Sequence, residues 1–296
     1  MNGFERFIYI LLLTFLFISF PHCVHSEDIK LSVVVSSSIR PYRLALEGLR
    51  SHFNRPIDPI YVNDNPELAL YQVSEARPGY VVTIGQKAAS LMTSLENKLY
   101  RHLALVVLDI KDKDFFTPGK TCGVDLRVPV DVQLKLISEK LGEKRRVGII
   151  YNPNENYDII QMAKEASEKL ALTIIPIKVT KREEIAKTIQ ASYTLIDTLL
   201  FIPDATVTSD AIVTHLVKDA LLHGIPSVGF NNFFVENGAV MSFDIDYKEA
   251  GALGAELVRD VLSGRSCGIL NPPFEVSWND KAWELIKKRA GGEQRQ

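Results

Sequence analysis

Polar residues that directly follow apolar, strand-like runs are the positions in this chain best suited to bind a small molecule. Asp204 and Thr206 follow the run LLFIP, Asn231 follows SVGF, and Asp246 comes after AVMSF. A carboxylate at a strand end suits an ammonium group, and a second acid would complete the counter-charge for an amine. Asp204 and Asp246 could each also cap the helix that follows, since aspartate is a preferred N-cap residue.

The loop after the first strand-like run offers the opposite chemistry. Ser37 and Ser38 follow the run LSVVVS and lead into a predicted helix that carries Tyr42. Hydroxyls and exposed amide N–H groups at a helix N-terminus favour a carboxylate. Ser38 could instead serve as an N-cap without any ligand, because serine is common at that position.

Two further strand ends carry groups able to contact a ligand. Gly85 and Gln86 follow the run VVTI. Glycine permits close backbone approach, and a glutamine side chain both donates and accepts hydrogen bonds. Asn152 follows VGIIY in an Asn-Pro-Asn stretch, whose composition is equally typical of a simple turn.

Aromatic residues lie at the same strand ends. Phe230, Tyr42 and Tyr247 would suit a planar ligand by stacking, although aromatic residues near strand ends are also common in cores.

Enzyme signatures are missing from the sequence. It contains no G-x-G-x-x-G after a strand, no Walker A lysine loop and no G-x-S-x-G elbow. The histidines beyond the N-terminal segment are scattered, without a cysteine at metal-ligand spacing. We therefore predict a non-enzymatic protein with no catalytic residue, no metal site and no cofactor.

Alternating strand and helix patterns indicate the scaffold that positions these residues. The β-α rhythm runs from residue 30 to 108, breaks at the polar stretch 109–120, and restarts after a crossing strand at 122–126. The pattern predicts an α/β fold with two lobes built on mainly parallel sheets. Because ligands bind beyond the carboxyl ends of parallel strands, the polar residues should face a cleft between the lobes.

Composition and charge exclude some partners. The 296 residues are 46% hydrophobic and 24% charged, with a formal net charge of −2 and a pI near 6.3. This balance provides no basic surface for nucleic acid or for an anionic membrane.

The N-terminus has the layout of a secretory signal peptide, which we place at 1–26. A short segment with Arg6 precedes the apolar run 7–20, and Ser26 stands before a charged stretch. The run is shorter than the roughly 20 residues that span a bilayer, which favours cleavage over an uncleaved membrane anchor. Beyond it only Cys122 and Cys267 remain, and they form either a disulfide or two separate thiols.

The segment 148–264 resembles the substrate-binding proteins of ABC transporters, specifically those of the tryptophan/tyrosine-uptake type. The motifs that carry this resemblance are VGIIYNP, IPDATVTS, IPSVGFN and GAVMSFDIDYKEAGALGAEL, with weaker matches at TIGQKAA, GVDLRVP and SSSIRPY. The resemblance implies a fold like that of type I periplasmic binding proteins, with two Rossmann-like lobes joined by three crossings. On this basis the N-terminal lobe comprises 27–121 plus 246–266, and the C-terminal lobe 122–245 plus 267–296.

The same resemblance implies a function and a site. The protein would be the periplasmic solute-binding component of an importer, a monomer that presents a small amino-acid-like or aromatic solute to an inner-membrane permease. The alternative is a ligand-sensing subunit for a membrane signalling receptor. The positions matching the family's contacts lie on both lobes and at one hinge: Ser37, Ser38, Tyr42, Gly85, Gln86, Asn152, Asp204, Thr206, Phe230 and Asp246.

Overall fold

The computed structural model describes residues 30–53, 56–95, 100–108, 110, 121–142, 145–207 and 209–292. The predicted signal peptide at 1–26 lies outside these residues. None of the helices within them combines the length and the hydropathy that crossing a bilayer requires.

Strands and helices alternate along the chain as predicted. The first series contains β1 (Leu31–Val35), α1 (Arg40–Arg50), β2 (Pro59–Tyr61), α2 (Pro66–Ala76), β3 (Tyr80–Ile84), α3 (Gln86–Thr93), β4 (Arg101–Val107) and β5 (Thr121–Asp125). The second contains α4 (Val130–Leu141), β6 (Arg146–Tyr151), α5 (Pro153–Lys169), β7 (Thr173–Lys178), a 3₁₀ turn (Arg182–Glu184), α6 (Ile185–Ser192), β8 (Thr198–Phe201), α7 (Asp210–Leu222), β9 (Ser227–Gly229), α8 (Asn232–Glu236) and β10 (Met241–Ile245). The chain ends with α9 (Tyr247–Leu262), β11 (Ile269–Leu270), β12 (Phe274–Trp278) and α10 (Asp280–Gly292).

The described strands form two six-stranded sheets, with orders β11-β5-β4-β3-β1-β2 and β12-β10-β9-β8-β6-β7. All pairs in the first sheet are parallel. In the second sheet only β12, which pairs with β10, is antiparallel among the described strands. Helices cover both faces of the sheets. The predicted two-lobe α/β fold is confirmed, and the antiparallel edge strand is an addition to it.

The chain passes between the sheets three times, as the fold class predicts. It leaves the first sheet after β5, returns after β10 into α9, and leaves again after β11. The predicted lobe boundary at 121/122 falls inside β5, which pairs with β4 from Thr121 to Asp125. The predicted boundary at 266/267 lies before β11, but β11 pairs with β5 and so still belongs to the first sheet. The crossings therefore follow Asp125, Ile245 and Leu270, because strand pairing decides where a lobe ends.

Each lobe has its own hydrophobic core. In the first lobe, residues such as Val33, Leu103 and Leu105 pack with Leu49 of α1 and Val258 of α9. In the second lobe, apolar residues of β6, β8 and β10 pack beneath helices on both faces. Strands that are buried on both faces explain the near-continuous apolar runs in the sequence.

Helix α9 contacts α1 through glycines. A Cβ atom at Gly251 would lie 1.9 Å from the carbonyl oxygen of Ala45, and one at Gly48 would lie 1.8 Å from the carbonyl oxygen of Lys248. No side chain fits at that separation, so the two helix backbones touch directly. This contact holds the returning helix on the first lobe.

Cys122 and Cys267 form a disulfide. Their Cα atoms lie 5.7 Å apart, and the residues are separated by 145 positions. Cys122 lies in β5 and is fully buried, while Cys267 precedes β11. The bond therefore ties together the two segments through which the chain leaves the first lobe.

We predict that Gly251→Ala lowers the free energy of unfolding by about 3 kcal/mol, because the added methyl group would overlap a backbone oxygen. Gly79→Ala is the matched control, since a Cβ there meets nothing within 4 Å. Urea unfolding followed by circular dichroism measures both. Equal stabilities for the two variants would contradict the proposed helix contact.

Removal of the disulfide should also destabilise the protein. Because the bond closes a long loop, we expect the Cys122→Ala/Cys267→Ala variant to lose about 2–5 kcal/mol of unfolding free energy. Adding a reductant should lower the unfolding midpoint of the wild type and leave that of the variant unchanged. A reductant effect of equal size on both proteins would show that the bond is not its target.

Candidate functional site

A cavity of about 140 Å³ lies between the two lobes, where the chain crosses from one to the other. Leu108 beyond β4 and Leu126 in the first crossing line one side. Pro203 beyond β8 and Ile245 at the end of β10 line the other. The cavity therefore lies beyond the carboxyl ends of strands from both sheets, where α/β proteins bind ligands.

Aromatic rings form much of the cavity wall. Phe230, Phe243 and Tyr247 all line it. Phe230 is held edge-on against Phe234, with ring centroids 4.8 Å apart, and Phe243 packs edge-on against Phe274 at 5.9 Å. These contacts fix two of the rings in place before any ligand arrives.

Three polar side chains also line the cavity, namely Arg127, Gln133 and Asn231. Gln133 is only 3% exposed, and its Nε2 atom donates to the carbonyl oxygen of Val128 at 2.7 Å. Its Oε1 atom and the Oδ1 atom of Asn231 are both buried, and neither accepts a hydrogen bond from the described part of the protein. A buried carbonyl oxygen without a donor costs about 1–3 kcal/mol, so both oxygens are candidate ligand contacts.

Tyr42 and Gly85 meet on the first lobe, as the predicted site requires. Gly85 has a positive φ of 90°, and a Cβ there would lie 2.5 Å from Cζ of Tyr42 and 2.7 Å from Oγ of Ser36. Ser36 Oγ accepts a hydrogen bond from the backbone N–H of Ala88 at 2.9 Å and so caps α3. Glycine is needed at position 85 because the tyrosine ring lies directly against its backbone.

Tyr42 is also close to the cavity residue Tyr247. Burial raises the pKa of Tyr42. Burial is also the main cause of the raised pKa of Tyr247, to which the nearby Tyr42 and Asp244 contribute. Tyr42 and Gly85 on the first lobe therefore lie next to the cavity wall. The raised pKa values keep both phenols in their neutral form.

The remaining first-lobe predictions lie on the same edge of the sheet. Ser37 is half-buried after β1, and Ser38 and Gln86 are exposed. Ser38 does not cap α1, whose N-cap is Ile39. Ser38 therefore loses its alternative role as a cap, and Ser37, Ser38 and Gln86 stay predicted ligand contacts.

Asn152, Asp204 and Thr206 do come together, but they bind each other. Asp204 is 3% exposed, and its Oδ2 atom accepts from the backbone N–H of Asn152 at 2.7 Å and from Nδ2 of Asn156 at 2.9 Å. Its Oδ1 atom accepts from the backbone N–H of Thr206 at 2.9 Å, and Asn152 Nδ2 donates to Thr206 Oγ1 at 2.9 Å. Asp204 does not cap α7, whose N-cap is Ser209. The carboxylate instead joins the loop after β8 to the loop after β6.

Asp246 has the capping role that was its alternative prediction. It is exposed at the N-terminus of α9, and its Oδ1 atom accepts from the backbone N–H of Glu249 at 2.9 Å. Among the candidate residues named from the sequence, Phe230, Asn231 and Tyr247 line the cavity. The cavity residues Arg127 and Gln133 were missed, although Arg127 stands in the quoted crossing motif GVDLRVP and Gln133 is a polar residue on an otherwise apolar helix face.

No cluster of three or more potential metal ligands occurs among the residues that the structure describes.

A model of the family described as ABC transporter substrate binding protein matches residues 104–283. A search of curated protein sequences returns no match.

Solved structures share the fold at low sequence identity. A ligand-free, open substrate binding protein with adhesive properties from Clostridium difficile is 17% identical, with a TM-score of 0.70 over 87% of this chain and 94% of the other. An ABC domain from Streptococcus pneumoniae in complex with L-Trp is 20% identical, with a TM-score of 0.61 over the same shares. An ABC transporter solute binding protein from Burkholderia graminis in complex with D-arabinose is 11% identical, with a TM-score of 0.58 over 86% and 96%.

The contacts of the two aspartates predict losses of very different size for the same substitution. Asp204→Asn should lower the unfolding free energy by about 2 kcal/mol, because an amide cannot accept all three N–H donors. Asp246→Asn should change it by less than about 0.5 kcal/mol, since asparagine is an equally good N-cap. Denaturant unfolding at neutral pH measures both. A larger loss for Asp246→Asn would refute this assignment of roles.

Proposed function

Since the chain belongs to the family of ABC transporter substrate-binding proteins, we propose that it is the extracytoplasmic solute-binding component of an importer. Proteins of this family bind small solutes and work with ABC permeases. We place the solute in the cavity between the lobes and infer that it is small and amino-acid-like or aromatic. The observation that carries this proposal is the aromatic-walled cavity at the crossings.

The aromatic walls favour a planar apolar body in the solute. Phe230 and Phe243 are braced by edge-on contacts with neighbouring rings, so their faces are already in place. A ligand ring would gain stacking and burial without the cost of ordering these side chains. The L-Trp complex of the Streptococcus pneumoniae neighbour is consistent with such a solute.

The charge in the cavity favours an anionic group on the same solute. Arg127 brings a permanent positive charge to the lining, and a guanidinium matches the geometry of a carboxylate. This residue takes over the role that the serine loop at 36–38 has in the sequence prediction. Ser37 and Ser38 remain proposed contacts on the first lobe.

The position of the cavity supports coupling between binding and lobe movement. Residues 126–128 belong to the first crossing, and Ile245 and Tyr247 flank the second. A ligand that touches both crossings interacts with the segments that must rotate when the lobes close. Preference for the closed form by a few kcal/mol is enough to shift the equilibrium between the two forms.

The disulfide supports a location outside the cytoplasm. Such bonds form and persist in oxidising compartments and are rare in the cytosol. Together with the predicted signal peptide at 1–26, the disulfide favours export to the periplasm. Asp246 and the neighbouring crossings would act as the hinges between the lobes.

A thermal-shift screen tests the proposal. We expect L-tryptophan, L-tyrosine or L-phenylalanine at millimolar concentration to raise Tm, and D-arabinose to have no effect, because binding to the folded state alone stabilises it. Phe230→Leu should weaken the binding of the active solute about three- to tenfold, since a ring–ring contact is worth about 0.5–1.5 kcal/mol.

Tyr71→Leu is the matched control for loss of an aromatic ring, because Tyr71 is 62% exposed on α2. Each variant is compared with its own ligand-free Tm, so any loss of stability is removed from the comparison. A flat response of the wild type to the whole amino-acid panel, or equal affinities for all three proteins, would overturn the proposal.

A further inference from the structure

Gln133 and Asn231 line the same cavity, and the side chain of each has a buried carbonyl oxygen. Both residues belong to the second lobe, Gln133 on α4 and Asn231 directly before α8. Both oxygens are buried, and neither accepts a hydrogen bond from any residue that the structure describes. Such an arrangement leaves two acceptors ready for donors that the rest of the described chain does not supply.

The orientation of the Gln133 amide is fixed by its other end. Nε2 donates to the carbonyl oxygen of Val128 at 2.7 Å, and a carbonyl can only accept, so the nitrogen is the atom on that side. Val128 itself belongs to the first crossing and lines the cavity. With the side chain 3% exposed, Oε1 cannot turn to bulk water without breaking this hydrogen bond.

Asn231 departs from the usual behaviour of its position. An asparagine at the N-cap normally accepts a hydrogen bond from the first turn of its helix. Asn231 is the N-cap of α8 but makes no such side-chain bond. Its Oδ1 atom is buried instead, and the residue lines the cavity.

We propose that Gln133 and Asn231 bind the nitrogen end of the solute, so that the site selects solutes with an ammonium or primary amide group. Amide oxygens only accept hydrogen bonds, so the ligand must donate. Both residues line one cavity of about 140 Å³, and the proposal places the nitrogen group of the solute against both side chains. An ammonium or a primary amide carries at least two N–H donors on one atom, whereas a hydroxyl carries one donor.

The acceptors in this subsite are neutral. The described residues that line the cavity include neither aspartate nor glutamate. Asp204 is engaged by three N–H donors of the protein, and Asp246 caps α9. The amide oxygens therefore take the role that the sequence assigns to these two acids, and a carboxylate introduced at position 231 should bind an ammonium group more tightly.

The inference rests on the proposed function and deepens it. Its test uses three probes that share one aromatic ring: L-phenylalanine, phenethylamine, and 3-phenylpropionate, which lacks the nitrogen. Isothermal titration calorimetry at one pH and salt concentration gives Kd for each. We expect the wild type to bind L-phenylalanine at least tenfold more tightly than 3-phenylpropionate.

Two variants change the acceptors in opposite directions. Gln133→Met removes one oxygen at similar length and should reduce that preference at least fivefold, with little change for 3-phenylpropionate. Asn231→Asp keeps the shape of the side chain and adds a charge, so it should bind phenethylamine about tenfold more tightly and 3-phenylpropionate more weakly. Because Asn231→Asp is nearly isosteric, it keeps the test decisive if Gln133→Met folds poorly. Tyr71→Leu again serves as the control.

The outcomes separate this inference from the proposed function. If L-phenylalanine binds and depends on Phe230, but neither acceptor variant alters the preference for the nitrogen, the inference is wrong and the proposed function stands. If no aromatic probe binds the wild type, or if D-arabinose binds in their place, the proposed function fails and the inference fails with it.

Discussion

The pairing of β5 with both β4 and β11 is the constraint on which the rest of the structure depends. It holds the first and third crossings side by side at one edge of the first sheet. The disulfide between Cys122 and Cys267 reinforces this pairing with a covalent bond. Because β5 and β11 are paired neighbours, the chain enters the second lobe at two adjacent points. The cavity forms at the first of these points, just after β5.

The second crossing depends on a different contact. Helix α9 returns to the first lobe and lies on α1, with Gly48 and Gly251 allowing backbone to touch backbone. This packing fixes the start of α9, and therefore places Tyr247 in the cavity wall and near Tyr42. The glycine contact between the two helices thus helps to decide which aromatic groups line the cavity.

Two kinds of polar residue stand at the strand ends, and they have different physical roles. The carboxylate of Asp204 accepts hydrogen bonds from two neighbouring loops and so holds the second lobe's edge in shape. The amide oxygens of Gln133 and Asn231 are left without protein donors in the described part of the chain. Satisfied groups maintain the scaffold, whereas the buried oxygens that lack a partner among the described residues are the proposed ligand contacts.

The sequence by itself determined the fold class, because local periodicity decides whether a segment becomes a strand or a helix. The β-α alternation predicted from residue 30 to 108, and again after the crossing strand, matches the observed order of strands and helices. It also predicted that the candidate residues lie at one edge of the sheets, since the carboxyl ends of parallel strands must lie together. Short elements such as β11 and α8 carry too few residues to show a period.

Only the tertiary structure decided which polar side chains face the cavity. In the linear sequence, Asp204 looks like a plausible ligand contact and Gln133 looks unremarkable. The role of Asp204 depends on hydrogen bonds to residues as distant in sequence as Asn152. The role of Gln133 depends on its hydrogen bond to Val128 in the first crossing. The lobe boundaries also depend on the tertiary structure, because β5 belongs to the first lobe through its pairing with β4 and not through its own residues. Hydrogen-bond satisfaction and strand pairing are long-range properties, and a pattern of neighbouring residues does not contain them.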